Sequence, residues 1–100
     1  MDDFTFRAEL WRWEAQTTSA WYFVSVPADL SEDQRMEAGP PRGFGSIRVQ
    51  ARIGASIWKT SIFPSAERGA FVLPVKKAVR VKEGLEDGDS CEVALELIDD

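Results

Sequence analysis

The residues of this 100-residue sequence that could bind or transform a ligand fall into a few groups. Lys76, Lys77, Arg80 and Lys82 gather positive charge in a chain whose formal net charge is −5. Residues four apart share a helix face, so a helix would bring Lys76 and Arg80 together, where they could hold a carboxylate or phosphate. The same cations also suit a solvated helix surface, favoured toward the C-terminal end by the helix dipole. Trp21, Phe44 and Trp58 are candidate pocket walls, with Arg48 and Lys59 as the polar groups that orient a ligand. Ordinary aromatic packing is the competing reading. The candidate ligand-binding residues are thus Trp21, Phe44, Arg48, Trp58, Lys59, Lys76, Lys77 and Arg80.

Catalytic chemistry is harder to assemble. The chain has no His, which excludes a Ser-His-Asp or Cys-His triad, a His-ligated zinc site and histidine acid–base catalysis. Cys91 falls on the apolar face of an alternating stretch beside Val93, where a thiol behaves as a small hydrophobe rather than a nucleophile. Asp87 and Asp89, with Glu83 and Glu86 nearby, invite a calcium reading, but the twelve-residue EF-hand spacing is missing and a solvated turn explains them better. Glu67 has no second carboxylate placed to support glycoside-type chemistry. The glycines from Gly39 to Gly45 lack the Lys-Ser/Thr of a P-loop and the strand-to-helix setting of a dinucleotide fingerprint. No catalytic residue, metal ligand or cofactor is therefore assigned.

One core must position all of these groups, because 100 residues make a single domain. Hydrophobic residues make up 44% and aromatic residues 11%, enough apolar surface to offset the ordering entropy of a chain this short. The acidic balance repels phosphate backbones and makes general nucleic-acid binding unfavourable. A lone cysteine and an acidic start at Met1-Asp2-Asp3 fit a reducing cytoplasm. No apolar run approaches the roughly 20 residues that cross a bilayer, so no membrane role is expected.

The elements follow from periodicity. Phe4, Phe6, Ala8 and Leu10 alternate with polar residues as a first strand from Asp3 to Trp13, with Trp11 and Trp13 marking a bulge or a covered face. Ala20 to Val26 is a second strand, paired with the first as a hairpin and stopped by Pro27. Asp29 or Ser31 caps a short helix through Met36. Ser46–Ile53 and Ser56–Phe63 are strands joined by a tight Gly54-Ala55 turn, with Pro64 closing the second. Ala70–Leu73 is a short strand stopped by Pro74, and Lys76–Glu83 is a helix with Val75, Ala78 and Val79 at helical spacing and Gly84 as its cap. Cys91 to Ile98 alternates again as a sixth strand. An exposed flat edge is a hazard, so six strands favour closure into a small barrel plugged by two helical turns.

Four blocks in this order carry a resemblance: Trp21-Tyr22-Phe23-Val24-Ser25-Val26-Pro27, Gly43 to Val49, Gly69 to Arg80, and Gly84-Leu85-Glu86-Asp87-Gly88-Asp89. In these the chain resembles the DUF1905 domains, small prokaryotic proteins of unknown function. The resemblance implies a closed six-stranded Greek-key barrel and no particular chemistry, since a fold does not imply a function.

The expectation is therefore a mainly β protein acting as a non-enzymatic module, binding a small anionic or amphipathic ligand or a protein partner. Two alternatives stand beside it. Pro74, the short helix and Gly84-Leu85-x-x-Gly88-Asp89 also look like half of an AbrB-type DNA-binding barrel, against which the acidic charge argues. A His-independent enzyme would need Lys77, Lys59 or Tyr22 to carry a strongly shifted pKa in a cleft.

Overall fold

The alternating apolar stretches form seven antiparallel strands and one helix in a computed structural model that describes residues 4–13, 21–27, 45–65 and 68–98. The strands are β1 (Phe4–Glu9), β2 (Trp11–Trp13), β3 (Trp21–Ser25), β4 (Ile47–Ile53), β5 (Ser56–Ser65), β6 (Ala70–Pro74) and β7 (Ser90–Leu97). Helix α1 (Lys77–Glu83) lies between β6 and β7. Hydrogen-bonded neighbours run β1-β7-β4-β5-β6-β3-β2.

The expected closed six-stranded barrel is corrected to an open half-barrel of seven strands. The reason lies at Leu10. The first amphipathic stretch divides there: β1 pairs with β7 from Phe4↔Leu95 to Glu9↔Ser90, and β2 pairs with β3 from Trp11↔Phe23 to Trp13↔Trp21. Leu10 itself is fully buried. Its N–H donates to the Asp89 carbonyl at 2.8 Å and its carbonyl accepts the Gly88 N–H at 2.7 Å. The two ends of the sheet are thus joined by the chain through one residue, and among the described residues no ladder runs between them. The hairpin of the first two stretches holds for β2 and β3 only.

Alternation decides the core. Ile47, Val49, Ala51 and Ile53 of β4 and Cys91, Val93, Leu95 and Leu97 of β7 point to one side and are buried with Phe6, Val24, Val26, Trp58, Ile62, Phe71 and Leu73. Burying side chains of this size is worth about 1.5–3 kcal/mol each. Register brings them together, since Val93 faces Phe6 on one side and Ile53 on the other. In β2 the burial no longer alternates, since Arg12 is exposed; Trp11 and Trp13 pair with Phe23 and Trp21, on the face of β3 away from the buried Val24.

Gly54 and Gly84 behave according to their backbone chemistry, and Pro64 and Ala78 depart from the expected pattern. Gly54 has φ +58° and, among the described residues, no non-glycine residue has a positive φ, so the Gly54-Ala55 loop has the positive first position of a type II′ hairpin turn. Gly84, at φ +64°, ends α1: its N–H reaches the Val81 carbonyl and the Leu85 N–H reaches that of Arg80, the Schellman arrangement. Leu85 then packs against the core. Pro64, however, does not end its strand. It pairs with Phe71 beyond Ile62, the last β5 residue that β4 pairs with, where the missing N–H disrupts no second ladder. Ala78 is exposed, because this seven-residue helix buries only Val79 of its own residues. The helix expected from Asp29 or Ser31 to Met36 lies outside the described residues, as do Gly39 to Phe44.

Candidate functional site

A gap in the sheet makes the most chemically suggestive surface. The β5–β6 ladder extends only from Phe63↔Val72 to Ser65↔Ala70. Beyond it β6 follows β3, through Phe23↔Pro74, while the rest of β5 stays with β4 as far as Ile53↔Ser56. Between the diverging strands and the start of α1 lies a depression of about 280 Å³. Its base is made by the buried Trp58 and Val75 and the half-buried Tyr22 and Thr60. Lys59, Lys76 and Lys77 stand exposed around it, with Arg80 half-buried and Trp21 exposed. Among the described residues that line it there is no carboxylate.

Two of these side chains are held in place. The Arg80 guanidinium lies 3.9 Å from the centre of the Tyr22 ring, and its Nε donates to the Val75 carbonyl at 3.2 Å. Val75 is itself tied to the strand by its N–H, which donates to the Tyr22 carbonyl at 2.9 Å. Cation–π and backbone contacts together therefore fix where this charge sits. Trp21 stacks on Phe23, with ring centres 6.4 Å apart and planes 13° from parallel, yet keeps 53% of its surface exposed.

Six of the eight residues singled out from sequence line this one depression: Trp21, Trp58, Lys59, Lys76, Lys77 and Arg80. Arg48 does not. It alternates to the outside of β4, where its Nη1 donates to Ser61 Oγ at 3.4 Å. Phe44 lies outside the described residues. Lys82 is exposed and is not among the residues lining the depression. Tyr22 and Thr60 are not among the binding residues read from sequence; each lies two residues from a buried neighbour, Val24 and Trp58, and the two-residue period is the signal that places it on the inner face.

The outer face of β2 and β3 carries an aromatic row continuous with Trp21. Trp11 lies 5.1 Å from Phe23 and Trp13 meets Phe23 edge-on at 6.5 Å. Arg68 sits 3.7 Å over the Trp11 ring, whose Nε1 donates to Ser25 Oγ at 3.1 Å.

The other candidates resolve into structure. Cys91 is buried on the inward face, and burial pushes its thiol pKa above the ordinary value; Arg7 pulls it down and Asp89 adds to the rise, both more weakly. A neutral, enclosed thiol is a poor nucleophile. Asp87 Oδ1 accepts the Arg12 N–H at 3.1 Å and Asp89 Oδ2 accepts the Glu86 N–H at 2.8 Å, so both carboxylates fasten the turn that holds Leu10. Among the described residues no group of three His, Cys, Asp or Glu could hold a metal ion. No described helix is long and apolar enough to cross a membrane.

A protein-family model, described as a domain of unknown function, DUF1905, matches residues 6–95. The chain belongs to the DUF1905 family. No curated protein matches it. In this DUF1905 domain the matched span runs from Phe6 to Leu95 and so takes in every described residue of the depression.

Proposed function

We propose that this DUF1905 domain is a non-enzymatic binding module that takes a small anion in the depression between β5, β6 and α1. The observation that carries the reading is the gathering of Lys59, Lys76, Lys77 and Arg80 around one concave surface with no carboxylate among its described lining residues. In a chain of net charge −5, such a concentration of cations attracts an anion locally while the rest of the surface repels extended polyanions. Size supports a small molecule, since about 280 Å³ is near the lower end of ligand pockets.

Magnitude limits what charge alone can do. An exposed ion pair contributes about 0.2–1 kcal/mol, so four such contacts supply about 4 kcal/mol at most, which caps charge-driven affinity at a dissociation constant of about 1 mM. Binding of a simple anion should therefore be weak and should fade as salt rises toward physiological strength. The test is the thermal midpoint of the intact chain with increasing inorganic phosphate, against chloride at matched ionic strength. Stabilisation by phosphate that is lost in the Lys76→Glu/Lys77→Glu variant supports the site. Both side chains are exposed, so the variant keeps its core. Equal midpoints in phosphate and chloride would remove the proposal.

A further inference from the structure

We infer that the anion is carried on a planar aromatic ring, in the chemical class of a nucleoside monophosphate, and that Trp21 is the platform on which the ring stacks. The inference rests on the anion-binding reading above and adds what the rest of the molecule would hold. Among the described lining residues, Trp21 is the ring that combines exposure with a stacked neighbour: Phe23 lies nearly parallel to it at 6.4 Å, while 53% of its surface stays open beside the depression. Trp58 is buried in the core, and the Tyr22 ring carries Arg80. A tryptophan held in place and left open accepts a flat ring without first being ordered, which favours association.

The cations choose the other end of the molecule. Lys59 comes from β5, Lys76 from just before α1, Lys77 from its start and Arg80 from its middle, so two elements bring charge to the one depression. A phosphate offers three terminal oxygens and up to two negative charges to such a set, where a carboxylate offers two oxygens and one charge. With its Nε committed to the Val75 carbonyl, Arg80 presents its two Nη groups, a fork that suits phosphate. Stacking on an aromatic side chain adds about tenfold or more to affinity, taking a millimolar phosphate site toward the range of a metabolite.

The experiment titrates the intact chain at low salt with inorganic phosphate, adenosine, adenosine monophosphate and a short oligothymidylate, followed by tryptophan fluorescence and thermal midpoint. Adenosine monophosphate should bind at least about tenfold more tightly than phosphate. Trp21→Ala should reduce its affinity to that of phosphate, and Trp21→Phe should recover most of the difference. The side chain is more than half exposed, so these variants should fold, and an unchanged midpoint without additive checks this. If phosphate and adenosine monophosphate bind equally and Trp21→Ala alters neither, the anion site stands and the stacking inference fails. If neither binds, both readings fail together. If the oligothymidylate binds far more tightly than the mononucleotide, and Trp13→Ala on the outer aromatic row weakens it, the partner is a single strand and the small-molecule inference is overturned.

Discussion

The guanidinium of Arg80 lies 3.9 Å from the centre of the Tyr22 ring while its Nε is bonded to the Val75 carbonyl. One cation is thereby tied to β3 through a ring and to the β6–α1 connection through the backbone. Replacing Tyr22 by Leu removes the ring and keeps an apolar side chain. The coupling between Tyr22→Leu and Arg80→Met in a double-mutant cycle should be about 0.5–1 kcal/mol, read from urea midpoints at constant m-value. A coupling of zero would mean that the ring only lies near the charge.

The far end of α1 is fastened by a different pair. Ser56 Oγ donates to Glu83 Oε2 at 2.7 Å, and Ser56 is buried beside the turn of the β4–β5 hairpin, where it pairs with Ile53. A Cβ on Gly54 would collide with the Glu83 carboxylate, and Gly54 also has φ +58°. Gly54→Ala should therefore destabilise the protein by about 1–3 kcal/mol, from backbone strain and steric conflict together. In a Glu83→Ala background the same substitution should cost less, because only the backbone part remains. Chemical denaturation of the four proteins checks the difference.

Leu10 joins the two ends of the sheet and carries the hydrogen bonds to Gly88 and Asp89. Leu10→Ala should cost about 2–5 kcal/mol as a large-to-small change at a fully buried position. Hydrogen exchange should show protection falling together at the amides of Leu10 and Gly88, and not at those of the β4–β5 hairpin. Exchange that rises uniformly instead would indicate global loss of stability with no special role for this junction.

Cys91 makes a pH prediction. Its thiol pKa is raised by burial, so the folded state favours the neutral form. The stability it contributes is full below the ordinary thiol range and is lost as pH rises through the raised folded value. Wild type should lose stability relative to Cys91→Val on the alkaline side and not at neutral pH. Alkylation by iodoacetamide at mildly alkaline pH should be slow in the folded protein and fast in denaturant, and rapid labelling of the native thiol would contradict this.

The fold was legible to the extent that it depends on local pattern. Alternation in Ile47 to Ile53 and Cys91 to Leu97 identified the buried face of β4 and β7, and Gly54 and Gly84 marked a turn and a cap that need a positive φ. Pro64 was read as a stop because a central strand cannot lose an N–H, yet its strand has lost one neighbour at that point. Ala78 matched the helical spacing but stayed exposed, since a helix of seven residues buries a narrow stripe, here Val79.

By itself the sequence determined which side of each strand is apolar, where the chain must turn, that no histidine chemistry is available, and that cations cluster near Lys76. Only the tertiary structure decided that the chain changes partners at Leu10, leaving an open seven-stranded sheet where a closed six-stranded barrel was expected. It also decided that Trp21 and Lys59 stand beside Lys76, Lys77 and Arg80, while Arg48 stands elsewhere. The reason is physical: a period of two reports the face on which a side chain lies, whereas neighbours across a sheet are set by register between segments far apart in the chain.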